Sequence, residues 1–173
     1  MVHLLDQEKV VYRGGPSQWV NSNIFTIDMI LFLLAMTLPW FWKQFFAASY
    51  PDLKGVYMGA AKIAFFLPLI HAGWVWAKTY CHKYVLTTER LHEESGVFSR
   101  QTDVLELFRV KDMTLVEPFA LRMFGCGNIV LDTSDKSTPI VVMYAVKDTK
   151  PLLDTIRKHV EIMRVKKGVR EID

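Results

Sequence analysis

The chain has 173 residues, of which 21 are Lys or Arg and 18 are Asp or Glu, leaving a formal net charge of +3. So slight a field excludes a nucleic-acid surface built on bulk charge. Two cysteines in a chain of this length exclude the disulfide framework of a small secreted scaffold, and both are read as free thiols in a reducing compartment.

Residues 1–22 read as a polar, interfacial segment on the cytoplasmic side. They contain an apolar streak, Val10-Val11-Tyr12, and a break at Gly14-Gly15-Pro16. Ser17 is placed to cap a following helix, and Trp19 suits the membrane surface. The segment has no apolar core of the signal-peptide kind, so the next stretch is expected to act as its own targeting signal.

Residues 23–78 form a hairpin of two membrane spans, about 24–42 and 56–77. The first carries one charge, Asp28, and the second one firm charge, Lys62. Each is close to the roughly 20 apolar residues that cross a bilayer core, and apolar side chains occupy every face. Trp40 and Trp42 close the first run and Trp74 and Trp76 the second, at the level where amphipathic rings prefer the headgroups. Tyr50-Pro51-Asp52 supplies the reversal between them. Lys9, Arg13, Lys78, Lys83 and Arg90 flank the outer ends, against Lys43 and Lys54 in the loop. Positive residues favour the cytoplasm, so both termini are expected inside.

Three ionisable groups within the spans, Asp28, Lys62 and His71, are the intramembrane candidates for function. In an antiparallel hairpin Asp28 and His71 fall at similar depth and should pair. Lys62 lies toward the other side and should snorkel or stack on Trp40. Gly55, Gly59, Ala60, Ala61 and Ala64 offer a small-residue face for helix packing.

From Thr79 the pattern shifts to short alternating stretches. A strand Cys81–Leu86, a turn near Thr87–Glu89 and a strand Arg90–Phe98 place Leu86 opposite Leu91, Lys83 opposite Glu94, and His92 near Val85. Thr102–Val116 reads as a strand pair or one bent strand, and 118–127 as irregular, with a sheet turn at Gly125-x-Gly127. Asn128–Thr133 and Pro139–Val146 are further strands. A closing helix, about 149–166, is capped by Asp148 or Thr149 and carries Pro151 in its first turn. Leu152, Ile156, Val160 and Met163 form its apolar stripe. Five or more strands and one amphipathic helix suggest a small bent antiparallel sheet with one open end plugged.

The features Tyr84-x-Leu86-Thr87-x-x-Arg90-Leu91, Gly96, Arg109-Val110-x-Asp112 and Arg122-x-x-Gly125-x-Gly127-x-Ile129 resemble the bacterial pleckstrin-homology-like (PH-like) domain of small membrane proteins. The order of parts is similar as well: a short Pro-Ser-containing lead, two spans, one such domain over 79–173 and a closing helix. The resemblance implies an α+β membrane protein of the bacterial inner membrane, multi-pass, with a two-helix hairpin followed by a small antiparallel PH-like sheet and a C-terminal helix. It implies little about activity, since fold does not determine function.

Little in the residues points to catalysis. Cys81 and His82 are neighbours on a presumed strand and face opposite ways, as do Glu93 and Glu94, so neither pair makes a metal or acid–base site. No base and orienting group accompany Cys81 or Cys126. No cofactor, metal or catalytic residue is expected, and no nucleic-acid partner. From Lys78 onward 16 basic residues face 14 acidic ones, which gives weak pull toward anionic lipid. Arg164, Lys166, Lys167 and Arg170 are the candidates for headgroup contact. The expected function is a non-enzymatic adaptor or assembly module at the cytoplasmic face, binding protein partners or itself. The alternatives are a small subunit of a transport or conducting complex, with Asp28, Lys62 and His71 along the path, and an anionic-lipid sensor.

Overall fold

Chain reversals at polar turns and a change from continuous to alternating apolar pattern divide the protein. In the computed structural model, which describes residues 8–46, 48–136 and 138–168, the elements form an α+β protein: two long helices near the N-terminus, two antiparallel sheets and a C-terminal helix. The chain separates into two units, one holding the segment through Val20 with everything from Lys78 onward, the other Asn21–Ala77.

The helical unit comprises α1 (Ser22–Phe45) and most of α2 (Lys54–Cys81). Both are long and apolar enough to cross a membrane. Their burial is inverted relative to a soluble core. Of α1 only Asp28 and Ala35 are buried, and of α2 only Ala61 and Pro68. Large apolar side chains such as Leu33, Ile63 and Ile70 lie more than half exposed. The helices meet through paired side chains in antiparallel register. Phe32 tilts against Phe65 with centroids 4.8 Å apart, Trp42 stacks on Tyr57 at 4.3 Å, and the Tyr57 hydroxyl donates to the Leu38 carbonyl.

The other unit begins earlier than the alternating pattern suggests. The streak at Val10 becomes strand β1 (Val10–Gly14), which pairs antiparallel with β2 (Lys83–Thr87), Gly14 lying opposite Tyr84. One sheet therefore takes residues from both sides of the helices, where the sequence reading sets 1–22 apart from 79–173. A domain cut at residue 79 would lack its first strand. Ser17 lies ahead of a 3₁₀ turn, Gln18–Asn21, rather than at the start of α1. Its N–H donates to the Ala145 carbonyl, and α1 begins after Asn21 without a side-chain cap bond. Trp19 stacks on Phe124 with centroids 3.4 Å apart and planes within 7°.

Strand β3 (Arg90–Ser95) returns beside β2 with Lys83 opposite Glu94 and Leu86 opposite Leu91, the register read from sequence. The Thr87 hydroxyl closes the turn, donating to the Arg90 carbonyl and accepting from its N–H. Gly96 ends β3 at φ 109°, and a Cβ there would sit 1.8 Å from the Ser99 carbonyl oxygen. Only glycine fits that turn. β4 (Gln101–Glu106) completes a sheet of order β1-β2-β3-β4.

The stretch read as a strand pair or one bent strand holds two strands, which lie in different sheets rather than pairing with each other. A 3₁₀ turn at Leu107–Arg109 separates β4 from β5 (Val110–Val116), the first strand of a second sheet. The segment read as irregular holds a short helix, α3 (Phe119–Met123). β6 (Cys126–Thr133) and β7 (Ile140–Lys147) follow, giving the order β5-β6-β7. There are thus two sheets rather than one bent sheet. A register shift opposite Asn128 puts Ala145 in the left-handed region at φ 44°. Its N–H donates to Asn128 Oδ1 and its carbonyl accepts from Ser17, which holds the strained residue.

Helix α4 (Thr149–Lys167) packs its stripe of Leu152, Ile156, Val160 and Met163 into the space between the sheets. There it meets Leu86, Leu91, Ile129, Leu131 and Met143 in one core. At about 2 kcal/mol for each buried aliphatic side chain, this stripe is what keeps the helix in place. Asp148 occupies the N-cap position in a left-handed conformation and makes no side-chain cap bond. The Thr149 hydroxyl reaches Glu117 instead.

Candidate interaction surfaces

In the helical unit the structure brings Asp28 and His71 together. The carboxylate oxygens lie 2.9 and 3.0 Å from His71 Nδ1, with the Asp28 side chain 10% exposed and that of His71 52%. A protonated imidazole makes this an ion pair, and the neutral tautomer bearing the Nδ1 proton makes it a hydrogen bond. Either way the one buried carboxylate of α1 is satisfied by α2. Lys62 is exposed and lines, with His71, Phe66 and Trp74, an apolar hollow on α2. Among the described residues no ring contact joins it to Trp40. The five small residues divide. Ala61 is buried, whereas a side chain added at Gly55 or Gly59 would meet nothing within 4 Å.

The basic cluster at the end of α4 is largely occupied within its own unit. Arg164 donates to the carbonyls of Val110 and Lys111 at 2.7 and 3.0 Å. Lys166 bonds Glu89 at 2.7 Å and holds that carboxyl below its usual range, and Lys167 lies 5.9 Å from the Phe108 ring centre. Arg170 lies outside the described residues. These contacts, to partners far away in sequence, are what the charge run conceals.

The signals that sequence reasoning missed lie around the first sheet. His92, 5% exposed, has Val85 and Val104 as its strand neighbours, and its Nε2 has no hydrogen-bond partner. Burial pushes its pKa down. Glu8 is also buried, with Arg90 Nε at 3.5 Å from one oxygen. On the opposite face His82 Nε2 meets Glu93 at 2.8 Å. Between the sheets the Tyr84 hydroxyl accepts from the Tyr144 N–H at 3.1 Å and lies 3.5 Å from the Val142 carbonyl. Burial drives that phenol well above its ordinary value. Only the local pattern of a strand was available to announce any of these.

The two cysteines are separate, Cys126 buried with its thiol 3.4 Å from the Phe124 carbonyl and Cys81 half-buried. Among the described residues no three His, Cys, Asp or Glu side chains converge as metal ligands would. What the unit does present is unfinished sheet: β4 and β7 each lie at an edge. A cavity of about 380 Å³ lies between residues of β3 and β4 on one side and β7 on the other, with Leu91, Glu93, Asp103, Leu105, Val141 and Tyr144 among its lining.

Neither a curated protein nor a solved structure matches the chain. A family model described as Bacterial PH domain matches residues 23–160, which takes in both long helices and the strands from β2 to β7. Among the described residues, seven strands in two antiparallel sheets and a C-terminal helix accompany that match, and the chain belongs to the bacterial PH domain family.

Proposed function

We propose that the chain is a membrane-anchored, non-enzymatic PH-like module that assembles with protein partners or with further copies of itself at the cytoplasmic face of the bacterial inner membrane. The observation that carries this reading is the opposite burial of the two units. The helices turn their apolar side chains outward and close a carboxylate inside. Only about 11% of each apolar window is buried, whereas the core helix of a soluble protein would be mostly covered. The sheet unit buries its apolar residues in the ordinary way and places β4 at the edge of its sheet, the feature that lets a sheet recruit another chain.

Gly55 and Gly59, with open space around them, add a place where another helix can approach closely. The conducting-subunit reading is weakened because His71 and Asp28 satisfy each other. The lipid-sensor reading is weakened because Arg164 and Lys166 are tied to backbone and to Glu89.

The test is the mass of the full chain reconstituted in lipid nanodiscs or mild detergent. Assembly predicts more than one protomer, or a stoichiometric co-purifying protein. A strictly monomeric chain with no stoichiometric partner would remove the proposal.

A further inference from the structure

We propose that the groove between β4 and β7 is a docking site for an extended, basic peptide segment that adds as a strand along β4. This deepens the assembly reading by naming the chemistry of the partner, and it rests on that reading while failing separately from it.

Three observations converge on the groove. The first is an electrostatic conflict. Glu93 and Asp103 stand directly opposite each other across β3 and β4, and like charges so placed destabilise a sheet. Glu93 has His82 as a partner, whereas among the described residues the side-chain hydrogen bonds to the Asp103 carboxylate come from the neutral amide of Gln101. Asp135 adds a third carboxylate on the β7 side, bound to Arg109. A cation arriving at Asp103 would relieve the conflict.

The second is the floor between these charges. Leu91, Leu105 and Val141 line it, which suits an apolar side chain alternating with basic ones.

The third is the edge. Leu107 N–H donates to the Glu89 carbonyl, so antiparallel alternation along β4 turns Leu105 and Asp103 toward β3 and the N–H and C=O of Val104 and Thr102 away from it. On β7 the Val142 carbonyl and Tyr144 N–H are taken by the Tyr84 hydroxyl, which leaves β4 as the template. An acidic apolar groove beside an unpaired strand selects an extended basic peptide over an acidic one, and over a lipid headgroup.

The probe is a fluorescent peptide of about nine residues alternating lysine and valine, long enough to match a typical strand. It is titrated against the full chain in nanodiscs of zwitterionic phosphatidylcholine, and binding is read by polarisation. The proposal expects binding that weakens with salt, and little or none by a glutamate–valine peptide or by a lysine–valine peptide N-methylated on alternate residues. Asp103→Lys, which would sit opposite Glu93 as a favourable pair and so should fold, is expected to weaken binding about tenfold or more. Asp132→Lys, at the like-charged Asp112–Asp132 pair of the second sheet, should leave it within about twofold. Failure of the lysine–valine peptide to bind, equal binding by its glutamate or N-methylated counterpart, or no effect of Asp103→Lys would overturn the groove assignment. The protomer count in nanodiscs would be unaffected by any of these outcomes.

Discussion

His92 shows how a single side chain is set by surroundings that its own sequence neighbours do not reveal. It sits on β3 between Val85 and Val104, facing the Glu8 carboxylate, with Arg90 and Glu94 as the other charges acting on it. Desolvation is the largest influence and lowers its pKa below the ordinary 6.5. Glu8 and Glu94 oppose that shift and Arg90 adds to it. The unfolded chain therefore takes up this proton at a higher pH than the folded one. Above the unfolded value both states are neutral and the site costs nothing. As pH falls through 6.5 the unfolded state gains the proton first and stability is lost. Unfolding followed by circular dichroism between about pH 8 and pH 5 should show stability declining on the acid side. His92→Gln, which stays neutral, should flatten that part of the slope. An unchanged slope in the variant would mean that other groups set it.

Among elements, those legible in the sequence were the ones whose signal is local. The span-length runs, the β2–β3 register with Leu86 opposite Leu91, and the stripe of α4 all follow from spacing within one segment. Strand β1 was not legible, because five residues carry too short an alternation and their partner lies some 70 positions away at Tyr84–Thr87. The crossing at Leu107–Arg109 was hidden because apolar residues continue through it. The candidate groove was not legible, since the placement of β4 and β7 on its two sides is a product of both sheets.

The pairing of α1 with α2 by Asp28 and His71 did follow from depth counting, and it carries a prediction. His71→Ala leaves a carboxylate buried without its partner, so the helical unit should lose about 1–2 kcal/mol, measured by unfolding in micelles or bicelles. Replacing both residues by leucine removes the polar group together with its need, and should restore most of that loss. Equal losses in the single and double variants would show that the contact is incidental.

At the scale of the whole molecule, the pairing of β1 with β2 constrains how the chain can meet a membrane. Gly14, eight residues before α1, is hydrogen-bonded sheet to Tyr84, three residues after α2. A chain that leaves a folded sheet and returns to its neighbouring strand must have both ends of the intervening segment on one side. If α1 and α2 cross the bilayer, they do so as an out-and-back pair, whichever way the charges orient it. On the proposed anchored reading, the bias of Lys9, Arg13, Lys78, Lys83 and Arg90 over Lys43 and Lys54 favours the cytoplasm for the sheet unit. Cys126 is a poor reporter of side, because at 1% exposed it would resist any thiol reagent. Exposed serines serve better: Ser49 between the helices and Ser99 in the β3–β4 turn. In a Cys81→Ser background, a membrane-impermeant maleimide applied to intact cells should label Ser49→Cys at once and Ser99→Cys only after permeabilisation. The reverse order would keep the hairpin but invert it, placing the acidic groove outside the cytoplasm. Labelling of both positions from the same side would exclude the spanning hairpin itself, and with it the anchored module.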